Sequence, residues 1–514
     1  MKTIKNILLT SVMLLLVTAC DSLLDFEPQD NFGGTNFWQK KEQVQSYIVG
    51  LHNQVRAKAW NYYKFGEERG GWLKYGTSSS DIDMEDLQIK TQALTEQNAN
   101  TESWDGFYDP IMQINELIYK LEKEIDFLSK EDADYFLGQA YGLRAFMYFH
   151  LYRTYGGVPV VTEPKVVNGV NNPKDLYVAR STPAATLAFI KADIDKSVSC
   201  FEKDNFTIQA KRTVWGKAAS YMLQAEVYLW GAKVKTGDYT PDAKDLEVAD
   251  KALDAVTACP SYSLSEPYDK LFLFENKGND EIIWALNYAE NEETNFYYKF
   301  TYNNMFYNRF YDEDGNLLTD PLDLRNSGVQ RHEYKYELFA LYEDADVRKR
   351  TNFLDFYDAA DPSQATFKGV IFRKFMGMIN AGGKRLFVDD IPVYRYADVL
   401  LMKAEIANAK GQDPSSYINE IRHRAYGDGY PPFINRSKVE NEKAIYIERL
   451  KEFAGEGKSW YDARRMYGAG DKPLVYDLGL LDETKEAYKL LWPVDINVLN
   501  NDPEVEQTPG YAGT

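Results

Sequence analysis

The sequence predicts a mainly α chain built of helical hairpins, with an irregular, loop-rich part containing short strands. Three observations carry that prediction. Apolar residues recur at helical spacing in several capped segments. Two of these, "YMLQAEVYL" (221–229) and "LLMKAEIAN" (400–408), both place Ala-Glu-[Val/Ile] after bulky residues, and small residues at packing positions let paired helices stack closely. Between about 261 and 390 the helical period disappears, and aromatic, Asn and charged residues replace it.

The chain opens on Lys2 and Lys5, an apolar run from Ile7 to Val17, the small Ala19 and then Cys20. That is the layout of a cleavable export signal, too short to span a bilayer comfortably. Leu16-Val-Thr-Ala-Cys20 resembles a bacterial lipobox, whose cysteine is acylated and becomes the first residue; the alternative is a plain secretory leader with a chance cysteine. Several acyl chains on one residue anchor stably where a single chain is marginal. The expectation is a signal peptide over 1–19, a lipidated N-terminus and flexible tether over 20–34, and a body over 35–514. The twelve residues from Asp21 to Phe32 reach about 40 Å when extended.

Within the body, "SWDGFYDPIMQINELI" (103–118) runs into a helix carrying Ile111, Ile114 and Ile118, so Trp104 reads as packing. Ser129-Lys-Glu-Asp132 resembles a capping box, and Phe136, Ala140, Leu143, Met147 and Leu151 follow at helical spacing until Gly156-Gly157 and Pro159 stop the helix. A second helix carries Val214, Ala218, Met222, Ala225 and Leu229 on one face. A third runs from about Tyr394 to Ala409 and ends at Gly411. Asp413-Pro414 supplies an N-cap and a first-turn proline for the next. Ser437 and Glu440 form another capping box, followed by Ala444, Ile447, Leu450 and Ala454. In the irregular part "EIIWAL" (281–286) reads as a short strand. "NFYYKFTYNNMFYNRFYDEDGN" (295–316) has no clean period, and ordered irregular segments of such length are usually functional.

The formal net charge is −19, more negative still once Lys2 and Lys5 are removed. That excludes nucleic acid as a partner, since phosphates need clustered Lys and Arg, and it disfavours polyanions unless a local basic pocket overrides the average. No apolar run after the leader approaches the ~20 residues of a membrane helix. With Cys20 lipidated, Cys200 and Cys259 remain in an oxidising compartment, either bridged or, by default, as two free thiols. Tyrosine is abundant, with 38 residues beside 9 tryptophans, and such rings suit wet binding surfaces.

Several motifs then converge in order: "LRAFMYFHLYRTYGGVPVV" (143–161), "RYADVLLMKAEIAN" (395–408), "INEIRHRA" (418–425), "ERLKEFAGEGKSWYDARR" (448–465), "LWPVD" (491–495) and "NDPEVEQTPGY" (501–511). With the lipobox, this set resembles the SusD/RagB family of outer-membrane lipoproteins over nearly the whole chain. The resemblance implies a tetratricopeptide-like helical-hairpin scaffold (SusD-like) carrying a more irregular ligand-binding part. It implies a protein on the cell exterior, lipid-anchored in the outer membrane beside a SusC-like TonB-dependent transporter. There it captures oligosaccharide and delivers it into the barrel as a lid, without enzymatic activity and without a cofactor. RagB-like members are associated with peptides instead.

The residues offer few alternatives. A secreted glycoside hydrolase needs two carboxylates about 5 to 10 Å apart. Glu226 and Glu405 interrupt apolar helices and are the candidates, although ion pairing within the helical stack is the plainer reading. His52, His150, His332 and His423 show no zinc spacing. Asp312, Asp314 and Asn316 of "DEDGN" alternate like calcium ligands, but no closing Glu completes a loop. Glycan capture asks for exposed Trp or Tyr against the C–H face of a pyranose, with Asn, Asp or Arg at its hydroxyl rim. Two segments supply this mix. "ERGGWLKYGTSSSDID" (68–83) offers Trp72, Tyr75 and Asp81. "NFYYKFTYNNMFYNR" (295–309) offers Tyr297, Tyr298, Tyr302 and Tyr307 for stacking and Asn303, Asn304 and Arg309 for hydrogen bonding. The alternative for each tyrosine is a place in a local core.

Overall fold

The computed structural model describes residues 37–77, 86–99 and 104–511; Cys20, the tether over 20–34 and Asp81 lie outside them. The longer helices are α1 (Lys41–Arg56), α2 (Ala59–Gly66), α3 (Asp105–Lys123), α4 (Lys130–Tyr155), α5 (Pro183–Cys200), α6 (Lys217–Lys233) and α7 (Asp245–Thr257). After the irregular part come α8 (Tyr396–Ala409), α9 (Ser415–Tyr426), α10 (Lys438–Phe453) and α11 (Ser459–Arg465). From α3 to α7 each helix packs on the next, and α7 packs on α8 although the whole irregular part lies between them in sequence. The helical stack is therefore continuous in space and interrupted in sequence. No helix among the described residues is long and apolar enough to cross a membrane.

The central helix is α4. Ser129 caps it by accepting the Asp132 N–H at 3.1 Å, and Gly156 ends it with φ 77°. Its 26 residues span about 39 Å at 1.5 Å per residue. Phe136 to Tyr155 are buried on every side, as expected of a helix enclosed by neighbours. Close approach requires glycine here: a Cβ on Gly142 would lie 2.1 Å from Trp215 Nε1. Two local expectations shift, and the default for the cysteines holds. Val214 precedes α6, which starts at Lys217. Pro414 stands at the N-cap of α9, and Asp413 accepts the Ser415 N–H at 2.8 Å. Cys200 and Cys259 are both free, and burial pushes the Cys200 thiol up to about 11.

The irregular part is a set of small antiparallel ladders. They join β1 (Leu73–Lys74) to β5 (Glu333–Tyr334) and order β4 (Leu317–Leu318), β3 (Phe310–Tyr311), β6 (Phe353–Tyr357) and β7 (Phe367–Phe372) in one sheet. They also pair β8 (Met378–Ile379) with β9 (Arg385–Leu386). The ladder that matters most pairs β2 (Ile282–Leu286) with β10 (Ile391–Arg395), opposing Leu286 to Ile391. It ties the start of the irregular part to its end, just before α8.

A buried ionic cluster reinforces that junction. Arg395 donates through Nη1 to Glu281 and Glu452, both at 2.6 Å, and through Nε to Glu456 at 3.0 Å. Arg424 of α9 also reaches Glu281, at 2.8 Å. From the irregular part, Arg348 pairs with Glu448 at 2.8 Å and Glu452 at 3.0 Å, and Lys374 pairs with Glu456 at 2.5 Å. Burying these charges is costly, and each is tolerated because its neighbours neutralise it. The cluster turns α10 about its axis relative to the sequence pattern. Glu448, Arg449 and Glu452 face inward, while Ile447, expected on the apolar face, is 40% exposed.

Candidate functional site

The aromatic segment begins as a short 3-10 turn, Phe296–Phe300. Asn295 caps it, accepting the Tyr297 N–H at 3.1 Å and donating to the Asp389 carbonyl at 2.9 Å. Such a turn sends Phe296, Tyr297 and Phe300 inward and leaves Tyr298 and Lys299 outward. Beyond it, Asn303 accepts the Met305 N–H at 3.0 Å and starts a second turn.

This geometry divides the candidate tyrosines. Tyr297 is buried, its ring centroid 4.3 Å from that of Phe375 and its hydroxyl donating to the Gly455 carbonyl. Tyr302 is fully buried, stacked on Phe306 at 4.4 Å. Its hydroxyl donates to Asp320 at 2.6 Å and accepts the Leu322 N–H at 2.8 Å. Both are core residues with satisfied polar handles, which corrects the expectation that they stack against ligand. Tyr298 is 37% exposed and Tyr75 44%. Tyr307 is half-buried, its hydroxyl accepting the Asn326 N–H at 3.0 Å; Asn304 and Arg309 are exposed, and Asn303 is half-exposed. Trp72 is half-buried and donates Nε1 to the Tyr446 hydroxyl at 3.1 Å, so one edge is committed to the scaffold. The alternating Asp312, Asp314 and Asn316 form a closed turn: the Asp312 carboxylate accepts the backbone N–H of Asp314 and Asn316 and the Asn316 side chain.

The two segments that sequence reasoning singled out are brought together. Leu73 opposes Tyr334, and Lys335 N–H donates to the Trp72 carbonyl at 2.8 Å. On the other side of the same strand, Val329 and Arg331 N–H groups donate to the carbonyls of Tyr298 and Lys299, at 2.9 and 2.8 Å. Residues 329–335 thus lie between the start of each segment, 72–74 on one side and 298–299 on the other, and tie the two together. Trp60 of α2 belongs there too and was missed. Tyr63 stacks parallel to it at 5.4 Å, and the Lys299 ammonium sits 4.3 Å from its ring centroid. The signal available was the aromatic run "WNYYKFG" just before the Trp72 loop.

With this architecture in view, comparison with known proteins is decisive. A model of the SusD family matches residues 274–511. A second, described as starch-binding and associating with the outer membrane, matches 23–229. A crystal structure of a SusD superfamily protein from Bacteroides fragilis is 36% identical, covers 92% of this chain and 100% of its own, and superposes with a TM-score of 0.86. The chain belongs to the SusD family. SusD-like protein P38 of Formosa agariphila is 25% identical over 99% of this chain and 100% of its own. Surface glycan-binding protein A from Bacteroides uniformis is 20% identical, covers 91% of this chain and 99% of its own, and has a TM-score of 0.70, which speaks to fold alone.

In this SusD-family chain several residues of the ordered motifs are buried ionic ones. Arg395, Arg424, Glu448, Glu452 and Glu456 all sit in the junction cluster. Glu226 and Glu405 are likewise ion-paired. Glu226 binds Arg153 at 2.5 Å and the Tyr394 hydroxyl at 2.7 Å; Glu405 binds Arg465 at 3.0 Å and Lys233 at 2.8 Å. Burial raises both carboxyls, but Arg153 outweighs it at Glu226, and Arg465 with Lys233 holds Glu405 down at about 2. A glycosidase acid needs the opposite shift.

Proposed function

We propose that this protein captures oligosaccharide at the cell exterior, anchored to the outer membrane by lipid on Cys20, and delivers it to a SusC-like TonB-dependent transporter. It does so by binding and not by catalysis. The observation that carries this reading is that residues 329–335 tie together the two aromatic loop segments, 72–77 and 298–307. Tyr75 and Tyr298 present exposed rings in these segments, and Asn304 and Arg309 of the second segment are exposed as well. Rings of this kind pack on sugar faces while amides and guanidinium groups bond hydroxyls. Membership of the SusD family and the starch-binding description of the matched N-terminal model support a saccharide ligand. The surface is shallow, so affinity is expected between about 1 μM and 1 mM.

Titration of the mature chain with defined oligosaccharides and peptides tests the reading. Saturable sugar binding that weakens in Tyr75→Ala and Tyr298→Ala supports it. Saturable peptide binding without any sugar binding overturns it in favour of peptide uptake. Shortening of the bound glycan, lost in Glu226→Gln, would overturn the non-enzymatic assignment. Co-purification with a large outer-membrane barrel tests the transporter.

A further inference from the structure

A groove of about 850 Å³ opens at the C-terminal end of α4. Tyr155, Arg180, Arg464, Tyr467, Tyr476 and Tyr488 are among its lining residues. Its volume is that of a site for a small ligand of a few rings. Its arginines are unusual in so acidic a chain. Arg464 is 3% exposed, yet it has no carboxylate partner among the described residues. Of its five N–H donors, one reaches the Arg153 carbonyl, and its Nε is buried without an acceptor. Its guanidinium lies over the Trp230 ring at 5.1 Å.

Arg180 likewise has no carboxylate partner among the described residues. It donates to the carbonyls of Gly157, Tyr155 and Glu506, at 2.8, 2.7 and 3.0 Å, and to the Thr508 hydroxyl at 3.3 Å. Behind the groove, Arg69 is buried on Gln92 and on the carbonyls of Leu491 and Lys489, again without a carboxylate among the described residues. Burial pushes Arg464 down to about 9, helped by the charge of Arg69, and holds Arg69 and Arg180 at about 10. All three still carry charge at neutral pH. The acids of the groove, Asp471, Glu483 and Glu506, are exposed, and Glu483 is engaged by Lys472. Elsewhere in this chain buried arginines meet carboxylates, as Arg144 meets Asp193 and Arg348 meets Asp346. A buried cation without a counter-ion is costly, and an arriving oxyanion repays that cost.

The geometry points to this groove as a second saccharide subsite, selective for a sugar bearing an oxyanion, a carboxylate or sulfate ester. Arg464 faces the charge, and Tyr467, Tyr476 and Tyr488 flank the ring. The sugar part rests on the glycan reading above; the oxyanion part does not.

Calorimetric titration of the mature chain with digalacturonate, its neutral counterpart galactobiose, galactose 6-sulfate and free sulfate tests it. Digalacturonate or the sulfated sugar is expected to bind at least ~10-fold more tightly than galactobiose, a difference of about 1.4 kcal/mol. Binding should weaken with added salt and fall at least ~10-fold in Arg464→Gln. That variant is checked against Lys235→Glu, an exposed position of the same groove whose new acid repels the ligand without disturbing the core. Which acidic sugar binds better identifies the oxyanion. Equal binding of neutral and acidic sugars overturns the proposal. So does acidic-sugar binding untouched by Lys235→Glu but lost in Tyr298→Ala, or no binding at 10 mM ligand, about 2.7 kcal/mol of affinity. Free sulfate binding as tightly as the sugars overturns the saccharide part. Failure of the glycan reading is separable, because it appears as loss of neutral-oligosaccharide binding at the Tyr75 and Tyr298 surface.

Discussion

The helical stack and the irregular part it carries solve the same problem with different residues. The stack buries apolar faces and small residues at helical spacing, and pairs the charges it encloses, as Arg144 with Asp193 and Arg153 with Glu226. The irregular part has few regular backbone ladders, so it buries tyrosines and gives several of their hydroxyls partners. Tyr334 donates to Glu67 at 2.9 Å, Tyr342 to the Lys451 carbonyl at 2.9 Å and Tyr302 to Asp320 at 2.6 Å. The difference teaches that the abundance of tyrosine is mainly structural. A ring with a hydroxyl can both fill a core and terminate a loop, which a phenylalanine cannot do. Only those rings that the 3-10 turn and the Trp72 loop leave outward remain for ligand.

The largest expected effect comes from breaking the joint between the two regions. Arg395→Met leaves Glu281, Glu452 and Glu456 facing one another in the interior. The expected cost is about 3 to 5 kcal/mol by chemical denaturation, with both regions lost in one transition. A loss below about 1 kcal/mol would show that the cluster does not bind them.

Acid should loosen the same joint. Burial raises Glu456, but Arg395 and Lys374 hold it at about 2, against 4.5 for an unfolded glutamate, and Glu405 is held equally low by Arg465 and Lys233. Folded-state values below the unfolded ones mean stability fully present above about pH 4.5 and lost as pH falls toward 2. Denaturation midpoints measured from pH 7 to pH 2.5 should be affected by these two carboxylates only below pH 5. Arg395→Met should flatten part of that acid limb, and an unchanged limb would count against the cluster.

The smallest effects separate the two classes of tyrosine. Tyr302→Phe removes the hydroxyl that Asp320 and the Leu322 N–H both use, at an expected ~1 to 3 kcal/mol. Tyr298→Ala should stay within about 0.5 kcal/mol in stability while weakening oligosaccharide binding. A large stability loss in Tyr298→Ala, with binding intact, would return that ring to the core.

Much of the fold was legible from local chemistry. Ser129 and Ser437 cap their helices as expected, the strand over 282–286 forms, and Trp104, Trp460 and Trp492 are buried. The candidate site was legible only as two segments. Which of its tyrosines face outward was not, because a 3-10 turn has no apolar period to read and its facing depends on Phe375 and the Gly455 carbonyl, both distant in sequence.

What the sequence by itself determined is the helical scaffold, its caps and the family, because these rest on residues a few positions apart and on an ordered set of motifs. What only the tertiary structure decided is the use of the charges and rings. Ile447 turns outward because Glu448 and Glu452 find Arg348, Arg395 and Arg424 inside. Arg464 stays without an acid because no carboxylate among the described residues is folded against it. A side chain's partner is set by what long-range packing places opposite it, and spacing along the chain does not carry that information.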